Sequence, residues 1–165
     1  MTEMTQRRLW NQPRLSDYNF DTREQYIAFL DELVKHCDEV AFLIGPKYEE
    51  ETTKQIDSLM QCKSTIKRTR KFPGYPKHWK GYKLPLYPVN KKVITALKKY
   101  DSFLEFSRKI GDVDIAFYNK GKPVFYVLEH ERMGFLGEGY EAVFEQVIRE
   151  HQIGGMFYGG MVWRN

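Results

Sequence analysis

Two groups of side chains in the sequence have the types and spacing to do chemistry. The first is cationic and aromatic: Arg68, Arg70, Lys71, Lys77, Lys80 and Lys83 are interleaved with Phe72, Tyr75, Trp79, Tyr82 and Tyr87. Guanidinium and ammonium groups attract phosphates and carboxylates, and flat rings stack under bases or supply contact area. Arg68, Arg70, Lys71, Tyr75, Lys77, Trp79, Lys80, Tyr82 and Lys83 are therefore the expected partner-binding residues. The second group is acidic. Asp112 and Asp114 precede a turn at 119–122, and Glu129 and Glu131 follow it. Carboxylates brought together on one face of paired strands hold a divalent cation such as magnesium, which activates water.

The cationic group lies within a longer asymmetry. Residues 58–100 carry 12 basic side chains and no acidic one. Residues 1–57 carry 7 basic and 12 acidic, and residues 101–165 carry 7 basic and 10 acidic. A 43-residue stretch without a carboxylate, in a chain that has 22, implies a basic patch facing something negative. The competing reading folds the patch against the acidic thirds as internal ion pairs and uses the rings to pin a loop to the core. The patch fits nucleic acid or an acidic protein as partner, and no small-molecule substrate is evident.

Length and composition bound the fold. A chain of 165 residues, 42% hydrophobic and 29% charged, fits one globular domain over residues 1–165. No run of about 20 apolar residues suggests a membrane span, and no apolar run follows Met1 to Arg8 to make a signal peptide. Two cysteines, Cys37 and Cys62, do not form a disulfide framework and match no zinc spacing. A reducing cytoplasm is the expected compartment.

The elements that must position these groups are of mixed type. Asp21-Thr22-Arg23-Glu24 reads as a capping box opening a helix whose apolar face runs from Tyr26 to Cys37. Residues 39–44 read as a buried strand, and 49–61 as a helix with acids in its first turn. Residues 63–71 are open between strand and loop. Residues 72–88, with Pro73, Pro76, Pro85 and Pro88, are expected to form no regular element. A basic helix is expected near 89–100, and strands at 103–107, 112–118 and 124–131. A helix at 140–151, ended by Gly154-Gly155, and a strand at 156–163 complete an α/β (mixed α+β) domain, with helices packed on a central mixed sheet.

Residues 89–163, in the order helix, three-strand meander, helix, strand, resemble the core of the PD-(D/E)XK nucleases, in their resolvase and VRR-NUC branches. The residues carrying the resemblance are Gly111-Asp112-Val113-Asp114-Ile115, Leu128-Glu129-His130-Glu131 and Arg149-Glu150-His151-Gln152-Ile153-Gly154-Gly155. It implies Asp114 and Glu129 as magnesium ligands, with Glu131 where the family usually places a lysine. The turn decides whether the acids meet. A two-residue loop, Lys120-Gly121, gathers Asp112, Asp114, Glu129 and Glu131 on one face but needs positive φ at Lys120. A three-residue loop, Asn119-Lys120-Gly121, places Gly121 at a left-handed bulge and separates the two pairs. The second loop is the expected one. The chain is also similar in size and character to small bacterial immunity proteins that neutralise toxins, which implies a non-enzymatic, protein-binding role.

Weaker motifs add little. Gly137-Glu138-Gly139-Tyr140-Glu141-Ala142 is a degenerate dinucleotide fingerprint without the following acid. His36 and Cys37 are neighbours on a helix and point apart, so they do not make a nucleophile–base pair.

Overall fold

The computed structural model describes residues 14–16, 20–45, 48–67, 72–74, 84–153, 156–157 and 161–162. Among these, strands β1 (Arg14–Ser16), β2 (Glu39–Leu43), β3 (Thr65–Lys67), β4 (Leu84–Pro88), β5 (Asp114–Asn119), β6 (Lys122–Leu128), β7 (Met133–Leu136), β8 (Met156–Phe157) and β9 (Met161–Val162) share one sheet. Its order is β3-β4-β2-β5-β6-β7-β1-β8-β9, and every pairing is antiparallel. The expected α+β fold with helices on a sheet is present. The sheet is antiparallel where a mixed one was expected.

Among the described residues five α-helices join the strands: α1 (Arg23–Val34), α2 (Glu49–Met60), α3 (Lys91–Leu97), α4 (Phe103–Ile110) and α5 (Glu141–Glu150). Sequence signals explain most of their starts. The Thr22 side chain accepts from the Gln25 N–H, while Gln25 Oε1 accepts from the Thr22 N–H, so the capping box is Thr22 and Gln25. The Asn90 side chain caps α3 by accepting the Val93 N–H, and the Ser102 side chain caps α4 by accepting the Glu105 N–H. Glu49, Glu50 and Glu51 occupy the first turn of α2, where the helix dipole favours them.

All five helices bury their apolar stripes in one core on one face of the sheet. Tyr26, Phe29 and Leu30 of α1, Ile56 of α2, Val93 of α3, Phe103 and Phe106 of α4 and Phe144 of α5 pack there against Val40, Phe42, Tyr87, Ile115, Phe117 and Val127. The alternate strand positions, Ala41, Leu43, Leu84, Leu86, Ala116, Tyr126, Leu128 and Phe135, form a second buried cluster on the opposite face. Phe72 is the one member of that cluster not on a strand.

Five expectations are corrected by the structure. Residues 103–107 are helical: Phe103, Phe106 and Ile110 recur at helical spacing and all point into the core. The strand expected over 112–118 starts at Asp114, because Gly111 and Asp112 are both left-handed and end α4 by donating their N–H groups to Ser107 O. Its partner stops at Leu128, and Glu129–Glu131 is a turn of 3₁₀-helix leading into β7. The stretch thought irregular ends in β4, which tolerates Pro85 and Pro88 because its ladders are short. At the C-terminus β8 and β9 pair with each other, where a single strand over 156–163 was expected.

The hairpin between β5 and β6 has the two-residue loop and not the expected three-residue one, and a bulge then shifts its register away from both alternatives. Asn119 pairs with Lys122 across a two-residue loop in which Lys120 (φ 49°) and Gly121 (φ 78°) are both left-handed, the geometry of a type I′ turn. The lysine's unfavourable conformation is held by Asp38, whose Oδ2 accepts the Lys120 N–H at 3.1 Å. A bulge follows: Phe117 pairs with Phe125 but Tyr118 with Pro123, so Val124 is the extra residue. Val124 and Phe125 accordingly both reach the helix-side core.

Gly137 makes the tightest backbone approach. Its N–H donates to Val124 O at 2.7 Å, and a Cβ at this position would lie 2.0 Å from the Pro123 carbonyl oxygen. Gly137→Ala is therefore expected to lose about 3 kcal/mol of stability by forcing the β6 backbone aside, as measured by urea denaturation.

Candidate functional site

The nine expected partner-binding residues, Arg68, Arg70, Lys71, Tyr75, Lys77, Trp79, Lys80, Tyr82 and Lys83, lie outside the described residues. The structure fixes the ends of their segment. Lys67 pairs with Leu84, so the chain leaves the sheet on β3 and returns to it on β4 at adjacent positions. Between them, Phe72 is buried on the second sheet face. Gly74, at φ +85°, lies so close to that face that a Cβ would sit 3.0 Å from atoms of both Leu128 and Tyr126. Two of the rings interleaved with the cations are thus core residues. Phe72 is one. Tyr87 is the other, with its ring fully buried and its O–H donating to Asp57 Oδ1, and burial drives its phenol far above the ordinary tyrosine range.

The described cations of the acid-free stretch are differently placed. Lys63, Lys91, Lys92 and Lys99 are exposed, and among the described residues none has a carboxylate within ion-pair distance. Lys98 does, contacting Asp31 of α1 at 2.6 Å. Arg23 reaches the same helix end from α1, donating to the carbonyls of Lys98 and Tyr100 and pairing with Asp101 at 3.4 Å. The other described ion pairs between side chains more than one residue apart join groups three or four residues apart along a helix or its end, so among the described residues neutralisation of this stretch is seen only at the C-terminal end of α3.

The four acids occupy four different environments. Asp112 is exposed at the end of α4. Asp114 opens β5 on the second sheet face and is 7% exposed. Its Oδ1 accepts the Glu129 N–H at 2.8 Å, which ties the start of β5 to the end of β6. Glu129 is half-buried in the 3₁₀ turn, and Glu131 is exposed with an oxygen 3.5 Å from His130. The structure therefore joins Asp114 to Glu129 through a backbone group. Among the described residues no group of three or more His, Cys, Asp or Glu could hold a metal ion.

Among the described residues, a charged cleft and two thiols are the other places with groups suited to chemistry. An open cleft of about 480 Å³ lies between the starts of α1 and α4, lined by Asp21, Arg23, Asp101, Glu105, Arg108 and Lys109 among others. Its charges largely serve each other. Glu105 contacts Lys109 at 2.8 Å and accepts from the Asp101 N–H, contacts that hold its carboxyl below the usual range. Cys37 and Cys62 are free thiols. Burial, reinforced by the neighbouring Asp38, pushes the Cys37 thiol up to about 12, so it carries almost no thiolate at neutral pH.

Neither a protein-family model, nor a curated protein, nor a solved structure matches the chain. No described helix is long and apolar enough to cross a membrane. The sequence signal that finds the exposed lysines is the absence of carboxylates over 58–100. It does not distinguish paired from unpaired cations, which only the fold resolves.

Two outcomes are expected. Asp114→Ala loses about 1 kcal/mol in chemical denaturation by removing the acceptor of the half-buried Glu129 N–H, and Asp114→Asn, which keeps an acceptor oxygen, loses less. Cys37 resists iodoacetamide at pH 8 in the folded protein and reacts readily in denaturant, as followed by peptide mass spectrometry.

Proposed function

We propose that the protein is a non-enzymatic macromolecule-binding protein that engages an anionic partner through its basic, aromatic-rich surface. The observation that carries this reading is that Lys63, Lys91, Lys92 and Lys99 stand exposed and unpaired while the rest of the acid-free stretch supplies eight further cations. Like charges held together on one part of a fold repel each other, and an arriving polyanion relieves that repulsion and releases its own counterions. Rings such as Trp79 and Tyr82 would add stacking or contact area. The partner class is nucleic acid or an acidic protein such as a toxin neutralised by an immunity protein. The compartment that fits is the cytoplasm, where two free thiols persist.

The test is a binding titration with single-stranded, double-stranded and branched nucleic acid and with polyglutamate, at low and moderate salt, with and without magnesium. Binding of at least one polyanion is expected, with log K falling steeply with log salt, and weakened by Trp79→Ala and Lys80→Ala. Failure of every polyanion to bind at low salt would refute the proposal. Magnesium-dependent cleavage would refute its non-enzymatic part and favour the metal-dependent nuclease reading, with Asp114 and Glu129 as the residues to replace first.

A further inference from the structure

Positive charge lies beside a sheet edge. Among the described residues, β3 is the terminal strand of the sheet and pairs only with β4. Its ladder can be oriented from one residue. Ile66 stands opposite Pro85. In an antiparallel pair, facing residues alternate between those that exchange two N–H···O bonds and those that exchange none. Proline has no N–H, so Ile66 and Pro85 are a non-exchanging pair. Thr65 with Leu86 and Lys67 with Leu84 then make the bonds, and the N–H and C=O of Ile66 point away from β4. The other side of β4 agrees with this orientation. Its pairing with β2 ends at Leu86–Ala41, just where Pro85 would next have to donate.

Ser64 is the next residue with the same outward sense, and its N–H is already taken by Asp57 Oδ1 at 3.1 Å. Among the described residues, the backbone position of this edge without a strand partner is therefore Ile66. Continuing the β3–β4 register places Lys63 level with Pro88, a few residues before Lys91 and Lys92 at the start of α3. Lys63, Lys91 and Lys92 are the exposed, unpaired cations described above. Asp57, the acid hydrogen-bonded nearest this end of β3, has its oxygen engaged by Ser64 and by Tyr87.

We propose that this edge docks an extended acidic polypeptide segment, which adds to the sheet as a strand beside β3. Its backbone bonds the Ile66 N–H and C=O, and its carboxylates meet Lys63, Lys91 and Lys92. The inference rests on the anionic-partner reading and narrows it to one partner class and one mode of capture. Nucleic acid has no N–H and C=O ladder to offer a strand edge, whereas an extended peptide does. Short edge strands carrying lysine are also how proteins discourage unwanted pairing, and a partner bearing the opposite charge turns that guard into a recognition element.

The test uses the full chain and a fluorescein-labelled hexapeptide, Glu-Val-Glu-Val-Glu-Val, followed by fluorescence anisotropy. Two further versions of the peptide carry backbone N-methyl groups on residues 1, 3 and 5 or on residues 2, 4 and 6. The alternate residues of a docked strand face the edge, so one methylation frame should weaken binding by about tenfold and the other should leave it nearly unchanged. The variant K63E/K91E/K92E, checked for its fold by circular dichroism, should weaken the unmethylated peptide about tenfold. Equal binding of all three peptides would overturn strand addition, since charge alone ignores the backbone. Binding of oligonucleotide or polyglutamate without the hexapeptide would also overturn it, leaving the anionic-partner reading intact. Failure of every polyanion to bind would overturn both.

Discussion

The helix layer is organised around the ring of Phe103. It is fully buried and stands edge-on to Tyr26 at 4.9 Å, to Phe20 at 6.0 Å and to Phe29 at 6.4 Å. From the sheet side it meets Phe117 at 5.8 Å and Phe125 at 5.4 Å. Edge-to-face contacts of this kind are directional, so they fix the relative placement of α1, α4 and the central strands more narrowly than aliphatic packing would. Tyr26 extends the constraint to α3 by donating its O–H to Leu97 O at 2.8 Å. Once this nest is filled, every described helix has its apolar stripe satisfied on one face. The second face must be covered by something else, and Phe72 and Gly74 are the described residues that begin to cover it.

The second constraint is set by prolines. Pro85 ends the β2–β4 ladder and orients the β3–β4 ladder, because a residue without an N–H dictates which positions can exchange hydrogen bonds. Pro123 sits beside the Val124 bulge, and its carbonyl oxygen is what makes glycine necessary at 137. These residues resolve what composition alone leaves ambiguous. A proline-rich stretch is compatible with a strand when the strand is short and each proline falls where no bond is due.

The limits of the sequence reading follow from the range of the interactions involved. Where a signal is local and redundant it can be read directly. Thr22 opens α1, Glu49 to Glu51 open α2, and the apolar run after Glu39 is β2. The segment Phe103–Ser107 was legible too, since Ser102 precedes Glu105 by a capping interval and Phe103, Phe106 and Ile110 recur at helical spacing. A short window of alternating apolar residues mimics a strand there. Lys120 is a different case. Its left-handed backbone is disfavoured locally and is held by Asp38, 82 residues away, a contact no local rule contains. The placement of Asp114 is illegible for the same reason, because it is turned towards the backbone of Glu129 by a register that depends on a bulge.

Charge asymmetry is legible in a different sense. A sequence shows that carboxylates are missing from 58–100, but a fold could still bring the acidic thirds over that stretch and neutralise it. The described structure does so at one point, Lys98 with Asp31, while α1 and α2 direct most of their paired acids to cations on their own helices. Glu32 serves Lys35 and His36, and those bonds hold its carboxyl below the ordinary range. Asp57 has its Oδ1 shared between the Tyr87 hydroxyl and the Ser64 N–H. An acid committed to a buried hydrogen bond or to a partner one helical turn away is poorly placed to screen a lysine on a sheet edge. Beyond about 10 Å in physiological salt it has little effect on it. Among the described residues, the positive charge at the β3–β4 edge therefore persists because the acids bonded nearby have closer partners, not because the chain lacks acids.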